Sequence, residues 1–135
     1  MKIDLVCEGG GVKGIGLIGA VCCLEENGYT FERLAGTSAG AIVSSLLAVG
    51  YTGEELKDIL FNLNFRDFCG KTHFSCMPRI GQAVSLFKNK GIISGSSIEK
   101  YFKSLFIAKG KTKFKDISVN GVSPLKIMVS NIPTK

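Results

Sequence analysis

Two glycine-framed turns between residues 3 and 50 restrict this chain more than any other feature. Residues 3–7 read as a short buried strand, followed by a glycine-dense turn from Glu8 to Gly14. Ile15 to Asn27 then reads as a helix stopped by Gly28, a residue that takes the left-handed conformation at little cost. Phe31 to Gly36 reads as a second strand, and Ser38 to Val49 as a second apolar helix ended by Gly50. Strand, helix and strand in so short a span make a βαβ unit, hence a parallel sheet with helices on its faces. Gly14, Gly16 and Gly19 weaken the intrinsic helicity of the first helix. A helix tolerates them where it packs closely on a sheet or where its N-terminus must approach another group.

The rest of the chain reads as one α/β domain. Thr52-Gly53-Glu54-Glu55 is a capping box opening a helix through Leu60, with Glu54 and Glu55 serving the cap and the helix dipole. From Asn62 to Arg79 no period survives, which marks a mobile loop or lid, and Gln82 to Phe87 has helical character. Ser96-Ser97-Ile98-Glu99 is a second capping box. The helix it opens carries Ile98, Tyr101, Phe102, Leu105 and Phe106 on a single stripe. Leu125 to Val129 reads as another strand, after which the chain runs out at Asn131–Lys135 with no helix to cover it. The sheet therefore reads as incomplete.

Composition excludes several classes. With 135 residues, 45% hydrophobic and 21% charged, the chain is neither a disordered polymer nor a collagen-like repeat. Its five cysteines are odd in number, include the adjacent Cys22 and Cys23, and form no C-x-x-C pair. A disulfide framework and a zinc site are thus both disfavoured, and reduced thiols in a cytosolic compartment fit better. Cys22, Cys23, Cys69 and Cys76 read as small buried hydrophobes, and Phe61, Phe65, Phe68 and Phe74 read as core. No run is long and apolar enough to span a bilayer. Gly14 to Leu24 resembles a signal-peptide core, but Asp4, Glu8 and Lys13 interrupt its approach and no cleavage pattern precedes Glu25-Glu26. The formal charge of +6 is partly concentrated in Lys109, Lys111, Lys113 and Lys115, which read as a solvated loop. Attraction to anionic headgroups is the alternative, whereas no nucleic-acid signature accompanies those lysines.

Chemistry is carried by the two turns. Gly9-Gly10-Gly11-Val12-Lys13-Gly14 lies between strand and helix, where exposed N–H groups and the helix N-terminus favour negative charge. It also fits G-x-G-x-x-G, yet the second strand ends in Arg33-Leu34-Ala35-Gly36 without the carboxylate a dinucleotide ribose needs. At that strand end stands Gly36-Thr37-Ser38-Ala39-Gly40, a G-x-S-x-G pentapeptide. Such an elbow forces its serine into a strained turn and needs small neighbours, because larger side chains would collide across it. In a parallel sheet both turns emerge at the carboxyl edges of neighbouring strands, so amide donors and a serine converge as acyl transfer requires.

Together the two motifs resemble the patatin-like phospholipase family, whose members carry a GGGx[RK]G loop and a GxSxG elbow in this order. The likeness is strongest over residues 3–50 and continues more weakly through Phe114-Lys115-Asp116-Ile117 and the strand at 125–129. It implies a three-layer α/β/α sandwich with a mainly parallel sheet, incomplete in this chain, which would form the N-terminal portion of a single domain. It also implies hydrolysis of phospholipid or other acyl-ester lipids by a Ser–Asp dyad, without a metal, a cofactor or a catalytic histidine. Position by position, Ser38 matches the nucleophile, and the N–H groups of Gly10, Gly11 and Val12 match the oxyanion hole. Gly9 and Gly14 shape that loop, and Lys13 takes the place often held by arginine, as a phosphate contact or simply as an exposed cation. Gly36, Thr37, Ala39 and Gly40 build the elbow.

The family's aspartate precedes glycine, and none of Asp4, Asp58, Asp67 and Asp116 does, so the dyad partner is expected outside these residues. His73, the only histidine, reads as a loop residue. In a lipase-like protein the Phe-rich segment has a second reading, an apolar lid. The resemblance places the protein in the cytoplasm or at a membrane periphery. An inactive fragment, a membrane-surface interaction module and a nucleotide-binding βαβ module are the competing readings.

Overall fold

A computed structural model describes residues 1–63 and 95–131. Strand β1 (Lys2–Cys7) leads through a 3-10 turn (Gly11–Lys13) into helix α1 (Gly14–Glu26). Strand β2 (Thr30–Thr37), helix α2 (Ala39–Ala48) and helix α3 (Gly53–Phe61) follow. Helix α4 (Gly95–Ala108), a 3-10 turn (Phe114–Ile117) and strand β3 (Leu125–Met128) complete the described elements. The Asn62–Arg79 loop beyond Leu63, the Gln82–Phe87 segment, Asp67, His73, Cys69, Cys76, Phe65, Phe68 and Phe74 lie outside the described residues.

The chain forms two compact units, residues 1–62 with 106–135, and residues 63–105. In the first, the strands form one parallel sheet in the order β1-β2-β3, with Cys7 opposite Gly36 and Gly36 opposite Ile127. This is an α/β fold, a parallel sheet flanked by helices. Connections between parallel neighbours are right-handed, so the β1-to-β2 and β2-to-β3 crossovers carry α1 and α2 to one face. Alternation along β1 agrees. Ile3, Leu5 and Cys7 turn inward, whereas Lys2, Asp4 and Val6 are exposed. On the exposed face Asp4 accepts hydrogen bonds from the Arg33 guanidinium, which lowers its carboxyl pKa.

Helix α2 is the pillar of this unit. Val43, Leu46, Leu47 and Val49 are buried against the sheet, and the fully buried Ser44 donates to the Ala35 carbonyl at 2.9 Å. Both α1 and α2 end as their glycines foretell. Gly28 (φ 79°) and Gly50 (φ 102°) each donate three residues back, while Tyr29 and Tyr51 donate five residues back, to Leu24 and Leu46. Gly53 admits α3 to α1, since a methyl group there would stand 2.9 Å from the Cys22 nitrogen and sulfur. The α3 capping box is present as expected, with the Thr52 hydroxyl accepting from Glu55 N–H and the Glu55 carboxylate from Thr52 N–H.

Three expectations are corrected. Cys23 is exposed and Cys22 only half-buried, because the face of α1 that packs inward carries Ile18 and Val21 and leaves Cys23 turned to solvent; Cys7 is the buried thiol. Phe61 is 78% exposed at the end of α3, outside the core, and Asn62 caps that end. Ser96 lies inside the first turn of α4, which starts at Gly95. In the second unit, the stripe residues Ile98, Tyr101, Phe102 and Leu105 are half-buried, whereas Glu99, Lys100 and Lys103 are exposed.

The lysine segment is ordered. Asp116 accepts from the N–H groups of Thr112 and Lys113, both at 2.9 Å, which lowers its pKa. Lys109 leaves the segment to bind Glu55 at 2.8 Å and to sit 4.3 Å above the Tyr51 ring. That ammonium, followed by Thr52 N–H, holds the Glu55 carboxyl below its ordinary range. A carboxyl depressed on folding stabilises fully above its unfolded pKa, and the contribution disappears as pH falls through the folded value. Lys109→Met is therefore expected to cost about 0.5–1 kcal/mol at neutral pH. In thermal melts, the share of that deficit due to Glu55 should vanish on acidification, while the cation–π share persists.

Candidate active site

The two turns meet at the carboxyl rim of the sheet, because Cys7 and Gly36 are partners in adjacent parallel strands. A methyl group on Gly9 would lie 3.0 Å from Ser38 Cβ and 3.7 Å from Ser38 Oγ, so the glycine loop passes directly against the serine. Across the same junction a methyl group on Gly14 would stand 3.3 Å from Ala39 Cβ. The first residues of α1 and α2 thus abut.

The elbow is held by backbone, and only glycine fits. Any side chain on Gly40 would strike the Cys7 carbonyl and come within 2.5 Å of the Glu8 carbonyl oxygen. One on Gly36 would strike the Gly40 carbonyl and lie 2.7 Å from Ala41 N. Between them Ser38 adopts φ 51° and ψ −124°, a conformation L residues rarely hold and one that costs about 1–3 kcal/mol. Ser38 is exposed. Its carbonyl accepts from Ala41 N–H (3.0 Å) and Ile42 N–H (3.3 Å), which begins α2.

The glycine loop supplies donors by a similar route. Lys13 N–H closes on the Gly10 carbonyl at 3.1 Å, and the 3-10 turn Gly11–Lys13 runs straight into α1. The N–H groups of Gly11 and Val12 therefore belong to the 3-10 turn that leads into α1, where no helical acceptor precedes them. Gly11 itself sits at φ 55°. Lys13 is exposed at this helix start. Sequence reasoning gave Ala39 only a packing role in the elbow, yet its N–H is likewise a first-turn donor of α2 beside Ser38. The signal was available, since the residue after an elbow nucleophile always opens the helix.

Other candidates stand apart. Asp4 is engaged by Arg33 on the exposed sheet face, Asp116 by the backbone of the lysine segment, and Asp58 lies on α3. Strand β2 ends in Ala35-Gly36-Thr37 without a carboxylate at its end, where a dinucleotide site would hold the ribose.

The rim of this parallel α/β sheet thus sets a strained serine elbow against a glycine loop. The family model for patatin-like phospholipases matches residues 5–131, and the chain belongs to that family. YqhO of Bacillus subtilis, an uncharacterised protein, is 40% identical over 117 residues, covering 87% of this chain and 40% of YqhO. The uncharacterised protein R571 of Acanthamoeba polyphaga mimivirus is 23% identical over 130 residues, 94% of this chain and 41% of R571. Lysophospholipase NTE1 of Meyerozyma guilliermondii is 41% identical over 49 residues, 36% of this chain and 3% of that enzyme. The chain thus spans about two fifths of the length of YqhO and R571. No solved structure gives a significant match.

The packing at the rim is testable through two glycines. Gly40→Ala should lower the urea midpoint by an amount equivalent to about 3 kcal/mol, because rigid backbone surrounds it. Gly16→Ala, in α1 with nothing within 4 Å, should instead stabilise by about 0.5–1 kcal/mol.

Proposed function

We propose that the protein is a serine lipid acyl hydrolase, cleaving carboxylic esters of phospholipids or lysophospholipids with Ser38 as nucleophile. The observation that carries this reading is the contact of Gly9 with Ser38, which sets an exposed, strained hydroxyl beside the first-turn amides of a helix. Family membership supports a lipid ester as the substrate class, and the match to yeast lysophospholipases points the same way.

In this mechanism Ser38 Oγ bonds to the acyl carbonyl carbon as an aspartate beyond these residues takes its proton. The carbonyl oxygen becomes an oxyanion facing the N–H groups of Gly10, Gly11 and Val12, while Gly9 and Gly14 keep the loop close and Lys13 adds positive potential. One such donor is worth about a hundredfold to a thousandfold in rate. The tetrahedral intermediate collapses, the C–O bond to the leaving alcohol breaks, and the alcohol receives the proton from the aspartate. Water, deprotonated by the same carboxylate, then attacks the acyl-serine; the fatty acid departs and Ser38 regains its proton. Gly36, Thr37, Ala39 and Gly40 position the serine. On this reading residues 1–135 are the N-terminal portion of one patatin-like domain working at a lipid surface. No helix among the described residues is long and apolar enough to cross a membrane.

A fluorophosphonate probe and a lysophospholipid hydrolysis assay on the intact protein test this. Ser38→Ala should abolish labelling and lower hydrolysis by at least about a thousandfold. Labelling equal to that of wild type would remove Ser38 from the mechanism.

A further inference from the structure

At the end of α2 opposite Ser38, the first unit holds an apolar cavity of about 120 Å³. Its apolar walls are Val49, Phe106, Phe114, Ile117 and Leu125, and Lys111, Thr112 and Lys113 also line it. Ser45 also lines it, but its hydroxyl is spent on the Ala41 carbonyl at 2.6 Å. Among the described residues neither Lys111 nor Lys113 forms an ion pair. The nearby Asp116 carboxylate is folded onto the Thr112 and Lys113 N–H groups. Lys111, Lys113 and the neighbouring Lys115 against that one carboxylate leave net positive charge beside an apolar cavity, a setting that favours an anion. Apolar cavities of about 150 Å³ accept benzene-sized guests, so this one suits a chain of about four to six carbons. The lysines are point charges without the planar fork of arginine, which fits a single carboxylate at the mouth.

We propose that this cavity binds the alkyl end of a short-chain carboxylate, with Lys111 and Lys113 holding the carboxylate head. Ser38 takes no part. Eleven residues of helical rise separate it from Val49, about 16 Å. The site is thus a second, non-catalytic one, and it stands whether or not the protein hydrolyses lipids.

Amide NMR titration of the chain with butanoate, hexanoate and hexylammonium tests the proposal. Hexanoate should give saturable shifts centred on Val49, residues 111–117 and Leu125, about tenfold tighter than butanoate for its two added methylenes. Hexylammonium should not saturate there. Lys111→Glu with Lys113→Glu should weaken hexanoate at least tenfold, Ile117→Trp should block it, and Ser38→Ala should leave it unchanged. Equal binding of hexylammonium, shifts centred elsewhere, no saturation, or insensitivity to the charge reversal would each overturn the site. Loss of binding in Ser38→Ala alone would place the ligand at the rim and overturn it equally.

Discussion

One close backbone approach organises the rim of this sheet. Gly40, in the first turn of α2, lies so near the carbonyls of Cys7 and Glu8 that no side chain fits between them. That contact draws the start of α2 over the end of β1, and the glycine loop leaving β1 must then pass the serine leaving β2. Gly9 against Ser38 and Gly14 against Ala39 are consequences of the same approach. Without it, two motifs separated in sequence would remain two ordinary turns.

Parallel pairing supplies the second constraint. In an antiparallel sheet the ends of neighbouring strands point opposite ways, whereas here β1 and β2 both finish at the same edge. Both following helices then begin there, and their dipoles add. On the proposed mechanism, a developing oxyanion near Gly10, Gly11 and Val12 would lie where both helices begin, in a geometry fixed before any substrate arrives.

Much of this fold was legible in residues 3–50, since each element there is bounded by a residue with one local meaning. Gly28 and Gly50 end helices through the hydrogen bonds their positions promise, and Thr52 with Glu55 caps α3. The convergence of the two turns was legible too, because a βαβ reading already assigns them to one edge. Exposure was less readable. Cys23 and Phe61 look like core by composition, but burial depends on which face of a helix meets the sheet, and that is decided by distant partners. Lys113 and Lys115 are exposed, as a solvated loop requires, but the contacts within the lysine segment were not readable. Its polar composition hides that Lys109 is recruited by Glu55 and that Asp116 folds back on its own backbone, both contacts between groups whose spacing carries no periodic signal.

The strain at Ser38 needs a counterweight, and α2 provides it. A conformation costing about 1–3 kcal/mol persists only where its surroundings overdetermine it. Each fully buried Leu or Val side chain of α2 contributes about 1.5–3 kcal/mol of apolar transfer, and Leu46, Leu47, Val43 and Val49 are all buried. The Ser44 hydroxyl on the Ala35 carbonyl then fixes the register of helix on strand, because sliding by one residue would leave a fully buried hydroxyl without its acceptor. The helix cannot retreat to relax its N-cap without breaking that packing. A strained serine at one end and a dense apolar face along the rest are therefore two parts of one arrangement, and the stability of α2 is what keeps the Ser38 hydroxyl exposed beside the glycine loop.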